Sequence, residues 1–146
     1  MFRRYEYLTV FFGGGTLYTL IEILWRGYSH YTMTAVGGAC FLVLHLLNRR
    51  LGKMRLHVKC LLGGLVITVA ELAVGLVVNR ALGLAVWDYS KMWGNICGQI
   101  CPTFSLAWIV LCAPAFLLSD RIIVFFDGIR TDENENEQEE KIYDAN

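Results

Sequence analysis

CLLGGLVITVAELAVGLVVN, residues 60–79, holds one ionisable residue, Glu71, in twenty positions. About 20 mostly apolar residues at 1.5 Å each cover the roughly 30 Å of hydrocarbon in a bilayer, so this stretch predicts a membrane-spanning helix. Working outward from it, the same length and apolarity recur at about 7–25, 33–48 and 103–119. The second of these is short and needs a polar-tolerant turn at one end. With 55% hydrophobic residues and a mean hydropathy of +0.45, the chain reads as an all-α polytopic membrane helical bundle of about four transmembrane helices.

The net charge of zero hides an asymmetry. Residues 1–130 carry 12 Lys/Arg against 6 Asp/Glu, whereas residues 131–146 carry 7 acids and one Lys. Two units follow: a transmembrane domain over 1–130 and an acidic tail over 131–146, expected to be disordered, or a fraying extension of the last helix, because it has little to bury and repels itself. Arg3 and Arg4 precede the first span, and Arg49, Arg50, Lys53, Arg55 and Lys59 crowd the second connection. Lys/Arg-rich ends stay in the cytoplasm, so both termini, and the tail with them, are expected inside. The basic residues fit anionic membrane lipids as partners. They form no aromatic-interleaved stripe or helix-turn-helix, which argues against nucleic acid.

No charge occurs between Lys91 and Asp120, too long a stretch for one upright helix. Pro102 suits a first helical turn, so the last span is expected to begin there, with 93–101 as an extra interfacial or re-entrant segment. Such a segment is tolerated only where protein covers its backbone. The basic start and apolar run of MFRRYEYLTVFFGGGTLYTLIEILW resemble a signal peptide. Without a small-x-small cleavage site in a suitable place, it is expected to remain as the first span.

The chain also echoes itself. Gly15, Thr19 and Glu22 in the first span have the spacing of Gly64, Thr68 and Glu71 in the third, and each set is followed by a polar loop and another apolar span. Duplication of a helix pair would give parallel repeats about an axis along the membrane normal; a match this short, built from residues common in membranes, also arises by chance. Gly13–Gly15, Gly37–Gly38 and Gly63–Gly64 read as close helix contacts, in a compact bundle or a homo-oligomer.

Glu22 and Glu71 stand out because a charge within a span costs on the order of 2.5–3.5 kcal/mol unless paired or wetted. Either carboxylate suits a cation or a proton. Glu22 has a structural alternative in Arg26 one turn later; Glu71 has no charge within a turn. Asp88, Asn95 and Gln99 add polar groups around Trp87-Asp88-Tyr89-Ser90, the pattern of a ligand site beside an apolar pocket. The aromatics also suit an interface belt, and Asp88 suits a cap or a partnership with Arg80 or Lys91. His30, in the first outer loop, could join that cluster or titrate with pH. His45 reads as an interior side chain satisfied by a backbone carbonyl.

Five cysteines without Cys-x-x-Cys or Cys/His spacing indicate neither a disulfide framework nor a metal site. Most read as small apolar residues, although Cys97 and Cys101, four apart, would share one helix face. No phosphate loop and no nucleophile–base motif is present. No enzyme activity, cofactor or metal is therefore expected.

Tyr18, Glu22, Gly27, Ser29 and His30, then Glu71, Asn79, Trp87-Asp88-Tyr89-Ser90, Asn95, Gly98-Gln99-Ile100, Ser105 and Trp108 together resemble the bacterial ABC-transporter type IV family, the CmpB-like permeases. The resemblance covers roughly residues 10–120. It implies a multi-pass protein of the bacterial cytoplasmic membrane, a transporter permease or the membrane subunit of a transport system, with an ATPase or another membrane subunit supplied in trans. The alternative the residues leave open is a non-transporting module that binds a lipid or a partner protein. Neither reading specifies a substrate.

Overall fold

A computed structural model describes the backbone of residues 2–144 and the side chains of 3–133 and Gln138. Among these residues the fold is all-helical. Helix α1 spans Phe2–Arg26, α2 Tyr31–Arg50, α3 Leu56–Gly75 with a π-helical continuation over Leu76–Ala81, and α4 Pro102–Asp144. All four are long and apolar enough to cross a membrane.

Local chemistry explains where the helices stop. Gly27, at φ +79°, terminates α1, and its N–H returns to the Ile23 carbonyl at 2.8 Å, the usual way a left-handed residue satisfies a helix C-terminus. His30 then caps α2, its Nδ1 accepting from the Thr32 N–H. Helix α4 begins at Pro102, where the missing N–H costs nothing. It runs well past the expected end at residue 119. The acidic segment, expected as a disordered tail or a fraying extension, is helical through Asp144, since Glu, Gln and Lys favour helix and elongating an existing helix needs no new nucleus. Ala145 and Asn146 lie outside the described residues.

The tightest packing is within two pairs, α1 with α2 and α3 with α4, and α2 against α4 joins them. Bare backbone makes the first pair possible. A Cβ on Gly38 would lie 2.5 Å from the Phe11 carbonyl oxygen, and one on Gly15 2.6 Å from that of Thr34. In the second pair Gly64 instead makes room for the Ile109 side chain. A core of Leu44, Cys60, Cys112 and Phe116 fills the space between α2, α3 and α4.

The outside of the bundle is apolar. Phe12, Leu24, Leu65, Val110 and Val124 are each at least 61% exposed, a spread of large apolar side chains that soluble monomers avoid and lipid accommodates. One end, the basic end, carries the start of α1 and the 51–55 connection. The other, the loop end, carries residues 27–30 and 82–101.

Residues 82–101 form an irregular, internally bonded loop. Tyr89 N–H reaches the Gly98 carbonyl at 2.7 Å, and Ile96 N–H the Ile100 carbonyl at 2.9 Å. Gly94, Cys97 and Gly98 all have positive φ, which prevents the helix that would have set Cys97 and Cys101 on one face. Instead Cys97 is exposed and Cys101 buried.

Candidate functional site

A cavity of about 320 Å³ lies between the four helices, toward the loop end. Its walls are apolar, with Leu17, Gly37, Phe41, Ile67 and Leu111 among them, and aromatic rings line it at Tyr18, Trp87 and Trp108. Glu71 of α3 supplies a carboxylate to this lining. That carboxylate is 9% exposed. Its Oε1 accepts from the Tyr89 hydroxyl at 3.0 Å and its Oε2 from Trp108 Nε1 at 2.8 Å. Tyr89 in turn stacks on Phe104, ring centroids 4.6 Å apart. Burial, reinforced by Glu71, holds the Tyr89 phenol above its ordinary pKa, so Tyr89 serves as a donor.

Gln99 helps build the roof above the cavity. Its side-chain oxygen accepts from Asn79 Nδ2 at 2.7 Å, and its carbonyl accepts from Trp87 Nε1 at 3.0 Å. Gly75 lies beneath, where a Cβ would meet Gln99 and Trp87. Asn79, in the π-helical turn, also accepts from the Val86 N–H at 2.7 Å. Glu71 thus lines the cavity from α3, and Gln99, outside the lining, holds its Trp87 wall from the loop.

Asp88 and Asn95 do other work. Asp88 is exposed and accepts from the Ser90 N–H at 2.8 Å and hydroxyl at 3.0 Å, and the Ser90 backbone and side chain hold its carboxyl below the usual aspartate range. Asn95 donates to the Ser90 and Met92 carbonyls and accepts from the Gly98 N–H. Both shape the loop. His30 bonds to Thr32. Glu22 pairs with Arg26 at 2.7 Å and accepts from the Ser29 hydroxyl, while Arg26 reaches the Val86 carbonyl at 3.1 Å. The Glu22 cluster therefore braces the 82–101 loop against α1.

A second polar centre occupies the basic end and was not anticipated. Glu6 is fully buried and accepts from His45 Nε2 at 2.8 Å, Arg49 Nη2 at 2.6 Å and Arg130 Nη2 at 3.4 Å. Arg49 bridges on to Asp127 at 3.0 Å. His45 Nδ1 meets the Ser119 hydroxyl at 2.9 Å, and Asn48 ties Ser119, Asp120 and the buried Lys59 together. His45 is thus satisfied by a carboxylate and a hydroxyl, where a backbone carbonyl was expected. Because a carboxylate only accepts, the His45 proton facing Glu6 sits on Nε2. The sequence signal for this centre was an isolated acid, Glu6, among basic residues, together with His45, Asn48 and Arg49 on one helix face.

No three His, Cys, Asp or Glu among the described residues gather as a metal-binding set. Four membrane-length helices, an apolar exterior and a central apolar cavity define an all-helical membrane protein. Within that class, the chain belongs to the family described as Putative ABC-transporter type IV, whose model matches residues 26–129. The match takes in α2, α3, the loop and most of the apolar part of α4. No curated protein and no solved structure matches the chain.

Proposed function

We propose that this chain is a multi-pass subunit of a transport system in the bacterial cytoplasmic membrane, non-enzymatic itself, with Glu71 as the polar group of its pathway. The observation that carries this reading is the buried Glu71 carboxylate on the wall of a cavity framed by all four helices. An ionisable group retained in such a place usually marks a substrate or proton route. Family membership supports the transport class. Four spans enclose too little volume for a complete pathway, so the chain acts as a homo-oligomer or beside another membrane subunit, with an ATPase in trans as the energy source.

The Lys/Arg distribution supports an orientation with both termini and the 51–55 connection in the cytoplasm. The loop 82–101, with Asp88 and Asn95 shaping it, then covers the cavity from the far side. Proteoliposomes carrying the purified chain and an entrapped pH-sensitive dye test the reading. Proton-linked flux under an imposed potential should fall at least tenfold in Glu71→Gln. Flux unchanged by that substitution would remove Glu71 from the mechanism.

A further inference from the structure

We infer that the cavity beside Glu71 takes an organic cation carried on an apolar body, such as an alkylammonium, which enters sideways from the bilayer between α1 and α4. This names the substrate class of the site proposed above and rests on that reading for its transport role, though not for binding.

Charge is the first argument. Three carboxylates are buried among the described residues: Glu6, Glu22 and Glu71. Glu6 has His45, Arg49 and Arg130, and Glu22 has Arg26. The described ion pairs give Glu71 no cation, only the Tyr89 hydroxyl and the Trp108 N–H. A carboxylate offers about four lone-pair sites, so two donors leave room for a third. In an apolar wall of low effective dielectric, the attraction for an entering positive charge is several-fold stronger than in water.

The rest of the lining suits the same guest. Tyr18, Trp87 and Trp108 share the cavity with Glu71, and aromatic faces attract cations, quaternary ammonium above all. The other walls are apolar, with Cys40 among them, and about 320 Å³ falls at the small end of ligand pockets, about 300–1,000 Å³.

The entry path follows from exposure. Leu17 of α1 and Leu111 of α4 line the cavity yet are 45% and 37% exposed, and α1 packs only lightly on α4. The opening therefore faces the lipid-covered side of the bundle. A phospholipid is a poor occupant, because among the described residues no Lys or Arg lines the cavity to receive its phosphate beside Glu71. Among the described residues a bare metal ion lacks a ligand set there.

The test uses the full chain in phosphatidylcholine nanodiscs. Decyltrimethylammonium is titrated against decyl sulfate and decyl glucoside, with intrinsic tryptophan fluorescence corrected for partitioning into empty discs. The cation should saturate a site at least tenfold tighter than the other two head groups. Glu71→Gln should remove that preference, and Leu111→Trp, at the exposed mouth, should weaken binding at least tenfold with helicity unchanged. Equal binding of the three head groups overturns the inference, as does a folded Glu71→Gln that binds the cation like the parent. A site seen in maltoside micelles that disappears in phosphatidylcholine discs also overturns it, since lipid would then be the occupant. If Glu71→Gln does not fold, the head-group comparison and Leu111→Trp decide. Cation binding with flux unchanged in Glu71→Gln would leave this inference standing and remove the transport role of Glu71, whereas Glu71-dependent flux without cation preference would do the reverse.

Discussion

Glu6 and Asp88 show how differently two carboxylates can be held within one small protein. Glu6 is enclosed at the basic end with donors from α2 and α4, so deleting its charge leaves His45 and two guanidiniums short of a partner. Hydrogen bonds to charged groups are each worth about 1.5–3 kcal/mol, and Arg49 keeps Asp127 as a partial substitute. Glu6→Gln should accordingly destabilise the chain by roughly 2–3 kcal/mol, read as an earlier thermal unfolding midpoint in detergent. Asp88 is exposed and bonded only to Ser90. Its carboxyl is held below the ordinary value of about 3.9 by the Ser90 N–H and hydroxyl. A depressed folded pKa means that the turn's contribution is complete above the unfolded value and lost only as pH falls through the folded one. The Ser90 amide resonance should therefore stay constant from pH 7 to about 5 and move only below the usual aspartate range. A midpoint at or above that range would show that the cap does not form.

Helix pairs, rather than single helices, carry the packing, and between α1 and α2 the limiting contacts reach the backbone. At Gly38 an added methyl would press on the Phe11 carbonyl, which cannot move without shifting α1. Gly38→Ala should cost about 1–3 kcal/mol, the usual range for overpacking. Gly13→Ala, on the same turn but facing away from the crossing with nothing within 4 Å, should be neutral or slightly stabilising through helix propensity. Thermal unfolding of the two variants side by side checks this, and equal losses would mean that α1 and α2 do not approach as described. Hydropathy is a local property, which is why all four spans and the start of α4 at Pro102 were legible in the sequence. Glu71 was legible too, as a charge inside an apolar run. Its partners were not, because Tyr89 and Trp108 read equally well as interface aromatics until the fold brings them together across 18 and 37 residues. The Glu6 centre was hidden for the same reason: His45 and Arg49 lie 39 and 43 residues away, and each alone looks like an ordinary charge or polar group at the end of a span. Residues 93–101 read as an interfacial or re-entrant piece from their lack of charge, but the course of the 82–101 loop depends on positive φ at Gly94, Cys97 and Gly98, which composition does not encode.

At the scale of the whole molecule, polarity is sorted to the two ends and the cavity lies nearer one of them. The basic end is locked by ion pairs that tie α1, α2 and α4, with Lys59 adding α3 through Asn48. The loop end has more side-chain hydrogen bonds but, among the described residues, a single ion pair, Glu22–Arg26. Ion pairs therefore resist opening chiefly at the basic end, which leaves the loop end, where the Tyr89 hydroxyl bonds the Glu71 carboxylate, as the end expected to open. If the basic end faces the cytoplasm, that opening faces outward, and the cysteines report it directly. Cys97 is exposed on the loop, while Cys60, Cys101 and Cys112 are buried and Cys40 is partly covered within α2. A membrane-impermeant maleimide added to intact cells should label Cys97, with Cys97→Ser losing the signal. In a Cys97→Ser background, Lys53→Cys at the basic end should react only in inverted vesicles. Labelling of Lys53→Cys in intact cells would reverse the orientation and turn the loop end, with its cavity, toward the cytoplasm.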